Sequence, residues 1–102
     1  MLRCWLILAS VAGALLLLPR QAAADPRSGV IEECAACHGI DGIARDTEVP
    51  HLAGQNERYL YNQMMAFRSG KRVHKEMRYM ARQMSAGEIA ALAAYYASLP
   101  PR

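Results

Sequence analysis

The sequence predicts an all-α protein in which three main helices form one small domain. Apolar residues recur every three or four positions in three segments, and each segment is bounded by residues that typically begin or end a helix. No segment shows the alternation of apolar and polar residues that is typical of a strand. The chain has 102 residues, of which 53% are hydrophobic, and this length excludes multidomain enzymes, barrels and doubly wound sheets.

The N-terminal segment indicates a secretory signal peptide over residues 1–24. A basic start precedes an apolar run over residues 4–18, and an A-x-A cleavage site ends at Ala24. An uncleaved membrane anchor is the alternative, but Pro19 and Arg20 end the apolar run short of the ~20 residues that a span needs. We therefore expect cleavage after Ala24, export to the periplasm and no permanent membrane span. The mature chain would be a single domain over residues 25–102.

The first helix of this domain is predicted to begin at Asp25. Its side chain can cap the helix, and Pro26 occupies the first helical position, where proline is favoured. The helix is predicted to end at Gly39, because glycine readily takes the left-handed conformation that terminates helices. The next residues, up to residue 55, are rich in Gly, Asp and Pro and predict an irregular loop.

The second helix is predicted over residues 57–69. Asn56 can cap its first turn and Gly70 can end it. Its apolar face is predicted to comprise Tyr59, Leu60, Met64 and Phe67. The basic segment 71–83 that follows is a connector whose structure the sequence leaves open.

The third main helix is predicted to begin after Ser85, which forms a capping box with Glu88. Met84 and Ile89 occupy the positions at which a hydrophobic staple would pair, and the prolines at 100–101 end the helix. Its buried face is predicted to comprise Ile89, Leu92, Ala93, Tyr96 and Leu99.

Residues 34–38 carry the pattern C-x-x-C-H, which is the attachment signature of covalently bound haem. Positions i, i+3 and i+4 share one face of a helix. The thiols of Cys34 and Cys37 can therefore each add to a haem vinyl group while the imidazole of His38 reaches the iron from the same side. A domain of this size usually needs such an added core. The pattern predicts one haem c, held by two thioether bonds, with His38 as the proximal iron ligand.

Three other roles are open to two cysteines at this spacing. A thioredoxin-like redox pair needs a preceding strand and a low-pKa attacking thiol, and the sequence predicts no strand before Cys34. A structural disulfide suits an exported protein, and a zinc site needs a second ligand pair, which the sequence lacks at the usual spacing. A histidine directly after Cys37 disfavours all three.

The iron needs a second ligand on the face opposite His38, and thioether sulfur is the soft ligand that favours ferrous iron. The methionines of the mature chain are Met64, Met65, Met77, Met80 and Met84. The first two lie in a predicted helix and the last belongs to the staple, which leaves Met77 and Met80. Histidine ligation through His51 or His74 is the alternative.

The whole mature chain resembles a small class I c-type cytochrome. It is similar in particular to the bacterial group that contains the repeated half of the two-haem cytochrome c4 and the cytochrome subunit of sulfide dehydrogenases. The resemblance is carried by CAACHGIDG at 34–42, PHLAGQ at 50–55, FRSG at 67–70, EMRYM at 76–80 and AAYYAS at 93–98. It implies a class I cytochrome c fold, in which the N-terminal and C-terminal helices cross around the haem and a third helix lies beside them.

The resemblance also implies roles for particular residues. A ligand methionine shortly before the last helix matches Met77 best, with Met80 as the second choice. Pro50 matches a loop proline whose carbonyl accepts the Nδ1 proton of His38 and so fixes its tautomer.

The stretch from Arg68 to Arg82, which covers the end of the second helix and most of the connector, is strongly basic. It contains one acidic residue, Glu76, and six basic residues, which are Arg68, Lys71, Arg72, Lys75, Arg78 and Arg82. Such a segment near the haem can steer an acidic redox partner, or it can be ordinary solvated charge. Nucleic acid is not an expected partner of an exported haem protein.

Two axial ligands leave the iron no vacancy for a substrate, and the sequence contains no other catalytic constellation. We therefore expect a periplasmic one-electron carrier, or the electron-accepting cytochrome subunit of a dehydrogenase. The expected partners of the protein are an oxidase, a reductase or a dehydrogenase. The alternative is a haem enzyme or a gas-binding sensor with a displaceable distal methionine.

Overall fold

The computed structural model describes residues 28–102, and all the regular structure in this part of the chain is helical. Its helices are α1 (Ser28–His38), α2 (Glu57–Ser69), α3 (Lys75–Arg82) and α4 (Ala86–Ser98). The all-α prediction is confirmed. The predicted signal peptide, its cleavage site and the cap at Asp25 lie outside the described residues. Within the described range, no helix combines the length and the apolar character that crossing a membrane requires.

The end of α1 and the following loop are shaped by two glycines. Gly39 has a φ of 81°, and its N–H donates to the carbonyl of Ala35 at 2.9 Å, so it terminates α1 as predicted. Gly42 has a φ of 72°, and its carbonyl accepts the N–H groups of Leu52 at 2.8 Å and Ala53 at 3.1 Å. The loop therefore folds back on itself and returns its second half to the end of α1.

Helix α2 has the predicted boundaries. The side chain of Asn56 accepts the N–H of Tyr59, and Gly70 ends the helix in the left-handed conformation with a φ of 84°. Leu60 and Phe67 are buried. The prediction for Tyr59 is wrong, because its side chain is 48% exposed; it lies in the first turn, to the side of the buried face.

The basic segment left open by the sequence contains α3, an eight-residue helix that begins after His74. Ala81 is fully buried and Met77 and Met80 are half-buried, whereas the charged residues of the helix are exposed. The helix packs against α2. Both candidate methionine ligands therefore lie on a helix with one inner and one solvated face.

Helix α4 begins with the predicted capping box. The hydroxyl of Ser85 accepts the N–H of Glu88 at 3.1 Å, and the carboxylate of Glu88 accepts the N–H of Ser85 at 3.2 Å. Four of the predicted inner residues are buried, whereas Leu99 is half-buried. Met84 is also buried, in the same cluster as Ile89, as a staple requires.

The hydrophobic core lies where α1, α2 and α4 meet. Its buried cluster comprises Leu60, Met84, Ile89, Leu92, Ala93 and Tyr96. Val30, Ile31 and Cys34 of α1 are half-buried and pack against this cluster. The packing of α1 therefore places the first cysteine of the C-x-x-C-H pattern at the edge of the core.

The loop geometry predicts that Gly42→Ala destabilises the fold. A Cβ at this position would lie 2.8 Å from the backbone nitrogen of Ala53, and alanine is strained at a positive φ, so we expect a loss of at least about 2 kcal/mol. Urea unfolding, followed by circular dichroism, measures this loss in the free energy of unfolding. Gly29→Ala is the matched control, because a Cβ at Gly29 meets nothing within 4 Å; it should be neutral or stabilising by up to about 1 kcal/mol. Equal effects of the two substitutions would contradict this account of the loop.

Candidate functional site

His38 is the last residue of α1 and is only 8% exposed, which makes it the one buried polar residue in the part of the chain that the structure describes. Its Nδ1 lies 2.9 Å from the carbonyl oxygen of Pro50, twelve positions along the chain. A carbonyl only accepts, so Nδ1 carries the proton and donates it. The lone pair of Nε2 is therefore available to a metal, and the imidazole is held in that tautomer by the loop.

The two thiols precede His38 on the last turns of α1. Both are free; Cys34 is half-buried against the core and Cys37 is exposed. Burial, together with the negative charge of Glu33, raises the pKa of Cys34 to about 11. A redox-active dithiol needs the opposite, a lowered pKa in its attacking thiol. The raised pKa of Cys34 disfavours it as the attacking thiol of a thioredoxin-like pair, and no disulfide joins the two thiols in this structure.

The zinc alternative requires several nitrogen, sulfur or oxygen ligands close together. Among residues 28–102, no three His, Cys, Asp or Glu side chains converge as a metal site. Cys34, Cys37 and His38 are instead successive groups on one helix, at the i, i+3 and i+4 positions that share a face.

The candidate methionines lie one turn apart on α3. Met77 and Met80 are both half-buried, whereas Arg78 and Tyr79 between them are exposed. Neither is distinguished from the other by burial. The other methionines among the described residues, Met64, Met65 and Met84, belong to or pack against the hydrophobic core cluster, in keeping with the packing role that the sequence assigns to them.

The two remaining histidines have structural roles. Nδ1 of His51 accepts the N–H of Ala44 at 2.9 Å and so braces the loop between α1 and α2. The side chain of His74 accepts the N–H of Met77 and caps α3. Both imidazoles are exposed, unlike that of His38.

The residues at this site fit a covalently bound haem. A buried imidazole offers Nε2, two free thiols lie on the same helical face, and soft sulfur donors are available on α3. Tyr96 adds a further polar group: its hydroxyl is buried and has no hydrogen-bond partner in the described part of the chain. Burial raises the pKa of this phenol well above its usual range, and the nearby Cys34 contributes. The hydroxyl is therefore neutral and can donate to a bound group.

An open cavity of about 680 Å³ lies on the Cys37 side of α1, between that helix and the loop that follows. It is lined by Ala35, Ala36, Cys37, Gly39, Arg45, Asp46, Thr47 and Val49. His38 is not among these lining residues, so this cavity lies beside the imidazole and does not by itself form the iron site.

Two further residues have contacts that the sequence does not reveal. The hydroxyl of Tyr95 donates to the carbonyl of Ile40 at 2.7 Å and joins α4 to the turn after His38. Arg72, predicted only as part of the basic segment, places its guanidinium 4.6 Å from the centre of the Phe67 ring. Contacts of this kind join residues from different elements, and no local sequence signal marks them.

Comparison with known proteins places the chain in a family. A family model described as cytochrome c matches residues 28–100. Cytochrome c4 of Pseudomonas aeruginosa is 43% identical over 79 residues, which cover 76% of this chain and 39% of that protein. The thiosulfate dehydrogenase electron acceptor of Thiomonas intermedia is 41% identical over 81 residues, which cover 78% of this chain and 36% of that protein.

A solved structure gives the same result. The cytochrome c4 structure of Acidithiobacillus ferrooxidans matches with a TM-score of 0.62 and 36% identity, over 65% of this chain and 38% of that one. The chain thus spans less than half the length of each of these three relatives. The four described helices and this match confirm the class I cytochrome fold that the sequence predicts.

The contact between α4 and the turn after α1 predicts the effect of Tyr95→Phe. The substitution leaves the Ile40 carbonyl without its donor, so we expect a loss of about 1 kcal/mol in the free energy of unfolding. Tyr79→Phe is the control, because it removes a hydroxyl from a side chain that is 68% exposed, and it should cost less than Tyr95→Phe. Urea titration of the two holoproteins measures both. A larger loss for Tyr79→Phe would contradict the prediction.

Proposed function

Because the chain belongs to the cytochrome c family, whose members transfer electrons through covalently bound haem c, we propose that Cys34 and Cys37 hold the haem and that His38 is the proximal iron ligand. The observation that carries this proposal is the buried imidazole whose Nδ1 proton is engaged 2.9 Å from the Pro50 carbonyl. The haem, when bound, supplies an iron that changes its oxidation state by one electron. The residues of the chain attach it, orient it and shield it from water.

Pro50 acts on the iron through His38. Its carbonyl holds the proton on Nδ1, which keeps Nε2 unprotonated and increases its basicity as a ligand. Proline suits this position, because it keeps its acceptor while its ring restrains the backbone.

We propose Met77 as the distal ligand, with Met80 as the second choice. Both methionines are half-buried on α3, and the resemblance of segment 76–80 to the ligand segment of related cytochromes favours Met77. Met77 and His38 would together hold the iron and leave it no vacancy for a substrate, so the protein would act as a carrier. The similarity to cytochrome c4 does not favour a haem enzyme or a gas-binding sensor.

We propose that the protein acts in the periplasm as a single domain over residues 25–102, after residues 1–24 have been removed. The A-x-A site before Asp25 supports this proposal. The protein is either a free carrier or the electron-accepting subunit of a dehydrogenase. Its similarity to a thiosulfate dehydrogenase electron acceptor supports the second role, and co-purification with a larger dehydrogenase separates the two.

The redox partner, an oxidase, reductase or dehydrogenase, is proposed to dock through an acidic surface. The exposed basic side chains that would face it are Arg68, Lys71, Lys75, Arg78 and Arg82. Arg72 is already engaged with Phe67 and with the side-chain oxygen of Gln63, at 2.8 Å. The charge is thus concentrated on α3 and on the adjacent end of α2.

Met77→Ala tests the ligand and the function together. The substitution should abolish the charge-transfer absorption that reports methionine sulfur on ferric haem. It should also open the reduced iron to carbon monoxide, which the reduced wild-type protein should resist. Absorption spectra of both oxidation states measure these outcomes.

Met80→Ala is the matched control, because it removes the same side chain one turn away. It should retain the charge-transfer absorption and the resistance to carbon monoxide. If Met80→Ala loses them and Met77→Ala does not, the ligand is Met80. If the wild-type protein binds carbon monoxide readily, it is an open haem site and the carrier proposal fails.

The basic surface predicts how electron transfer depends on salt. Oxidation of the reduced protein by hexacyanoferrate(III), a small trianion, should slow as ionic strength rises, because salt screens the attraction. At low salt Arg68→Gln should slow it by about two-fold, whereas Arg58→Gln, at the opposite end of α2, should have less effect. Stopped-flow absorption measures the rates. A rate that is independent of salt would exclude steering by this surface.

A further inference from the structure

Helix α3 begins at an unusual capping residue. His74 has extended backbone angles, with a φ of −163° and a ψ of 123°, as capping residues typically do. Its Nδ1 accepts the backbone N–H of Met77 at 3.3 Å. This is the bond that Asn, Asp, Ser or Thr usually makes at a helix start, and here an imidazole makes it.

The imidazole of His74 is held by its neighbours. It packs edge-on against Phe67, with ring centroids 6.2 Å apart and an angle of 63° between the planes. Phe67 is itself buried at the end of α2, and the guanidinium of Arg72 lies 4.6 Å from the centre of its ring. The backbone N–H of Arg72 also donates to the carbonyl of Ala66 at 3.1 Å. The end of α2 and the start of α3 are thus joined through His74.

The contact of His74 with Glu76 does not account for this arrangement. The two side chains are 3.5 Å apart but are 56% and 75% exposed, and an ion pair in that environment contributes little. Moreover, the Nδ1 atom that accepts the N–H of Met77 carries no proton, so it has none to donate to the carboxylate.

The position of the capping bond matters because α3 is short. An isolated helix of eight residues is not stable in water, so its first turn depends on the cap and on packing against α2. Met77 lies in that first turn and its own N–H donates the capping bond to His74, whereas Met80 lies one turn later.

We propose that His74 is a positioning residue for the distal iron ligand, because it caps α3 at Met77 and fixes the helix against Phe67. The proposal rests on the proposed function, in which Met77 binds the iron. The cap orders the turn that carries the sulfur. The Met77 side chain is therefore already held in its iron-binding position, and other ligands displace it rarely. His74 itself does not touch the iron.

Competition with added imidazole tests the proposal on the ferric holoprotein. Imidazole displaces the methionine, and the loss of the charge-transfer absorption gives its apparent Kd. His74→Ala removes the cap and should lower this Kd by about five-fold, the factor that corresponds to a typical capping bond. His74→Asn restores a standard cap without the ring and should return the Kd to within about two-fold of the wild-type value.

Ser85→Ala is the control for general destabilisation. It removes the cap of α4, a helix that carries no proposed ligand, and should leave the Kd for imidazole unchanged. A wild-type Kd in His74→Ala, no rescue by His74→Asn, or an equal decrease in Ser85→Ala would each overturn the capping role.

The proposal and the ligand assignment fail in different ways. If Met77→Ala retains the charge-transfer absorption, Met77 is not the ligand and the proposal falls with that assignment. If Met77→Ala loses the absorption while His74→Ala behaves as the wild type, Met77 remains the ligand and only the role of His74 is overturned.

Discussion

The hydrogen bond between His38 and Pro50 is the interaction on which the site depends. It decides which imidazole nitrogen is free, and it ties the last residue of α1 to a loop position twelve residues away. The loop reaches this position because the Gly42 carbonyl accepts two N–H groups from its returning half. Backbone geometry that only glycine adopts easily thus controls the chemistry of a side chain that it does not touch.

The fold and the cofactor site share the same helices, since α1 contributes apolar residues to the core and also carries both thiols. Cys34 belongs to both, because it packs against the cluster around Leu60 and Ile89 and is proposed to hold the haem. In a domain too small to bury much of its own surface, a covalent apolar group adds to the core. Among the described residues, the hydroxyl of the fully buried Tyr96 has no hydrogen-bond partner, and the nearby Cys34 contributes to the raised pKa of its phenol.

Features set by neighbouring residues could be predicted from the sequence, and those set across elements could not. The caps at Asn56, Gly70 and Ser85 are local, so their signals lie within a few residues of the helix ends. The sequence did not predict helix α3, because the helix is short and polar and because histidine is not a usual capping residue. The contact of Arg72 with Phe67 joins the end of α2 to the following segment, whereas charge alone indicated either a surface that steers a partner or solvated charge. The role of Pro50 came from resemblance, because nothing local pairs it with His38.

The difference between a carrier and an open haem site is the stability of the bond between the distal methionine and the iron. In this chain the proposed ligand Met77 lies on α3, which packs on α2 and begins at a single capping bond. His38 needs no comparable support, because it is buried and held by the loop. The two sides of the proposed iron site therefore depend on different structure. The proximal side is fixed by a closed loop, and the distal side is only as rigid as one short helix. A partner that docks on the basic face of α3, as proposed, would act on the less rigid side.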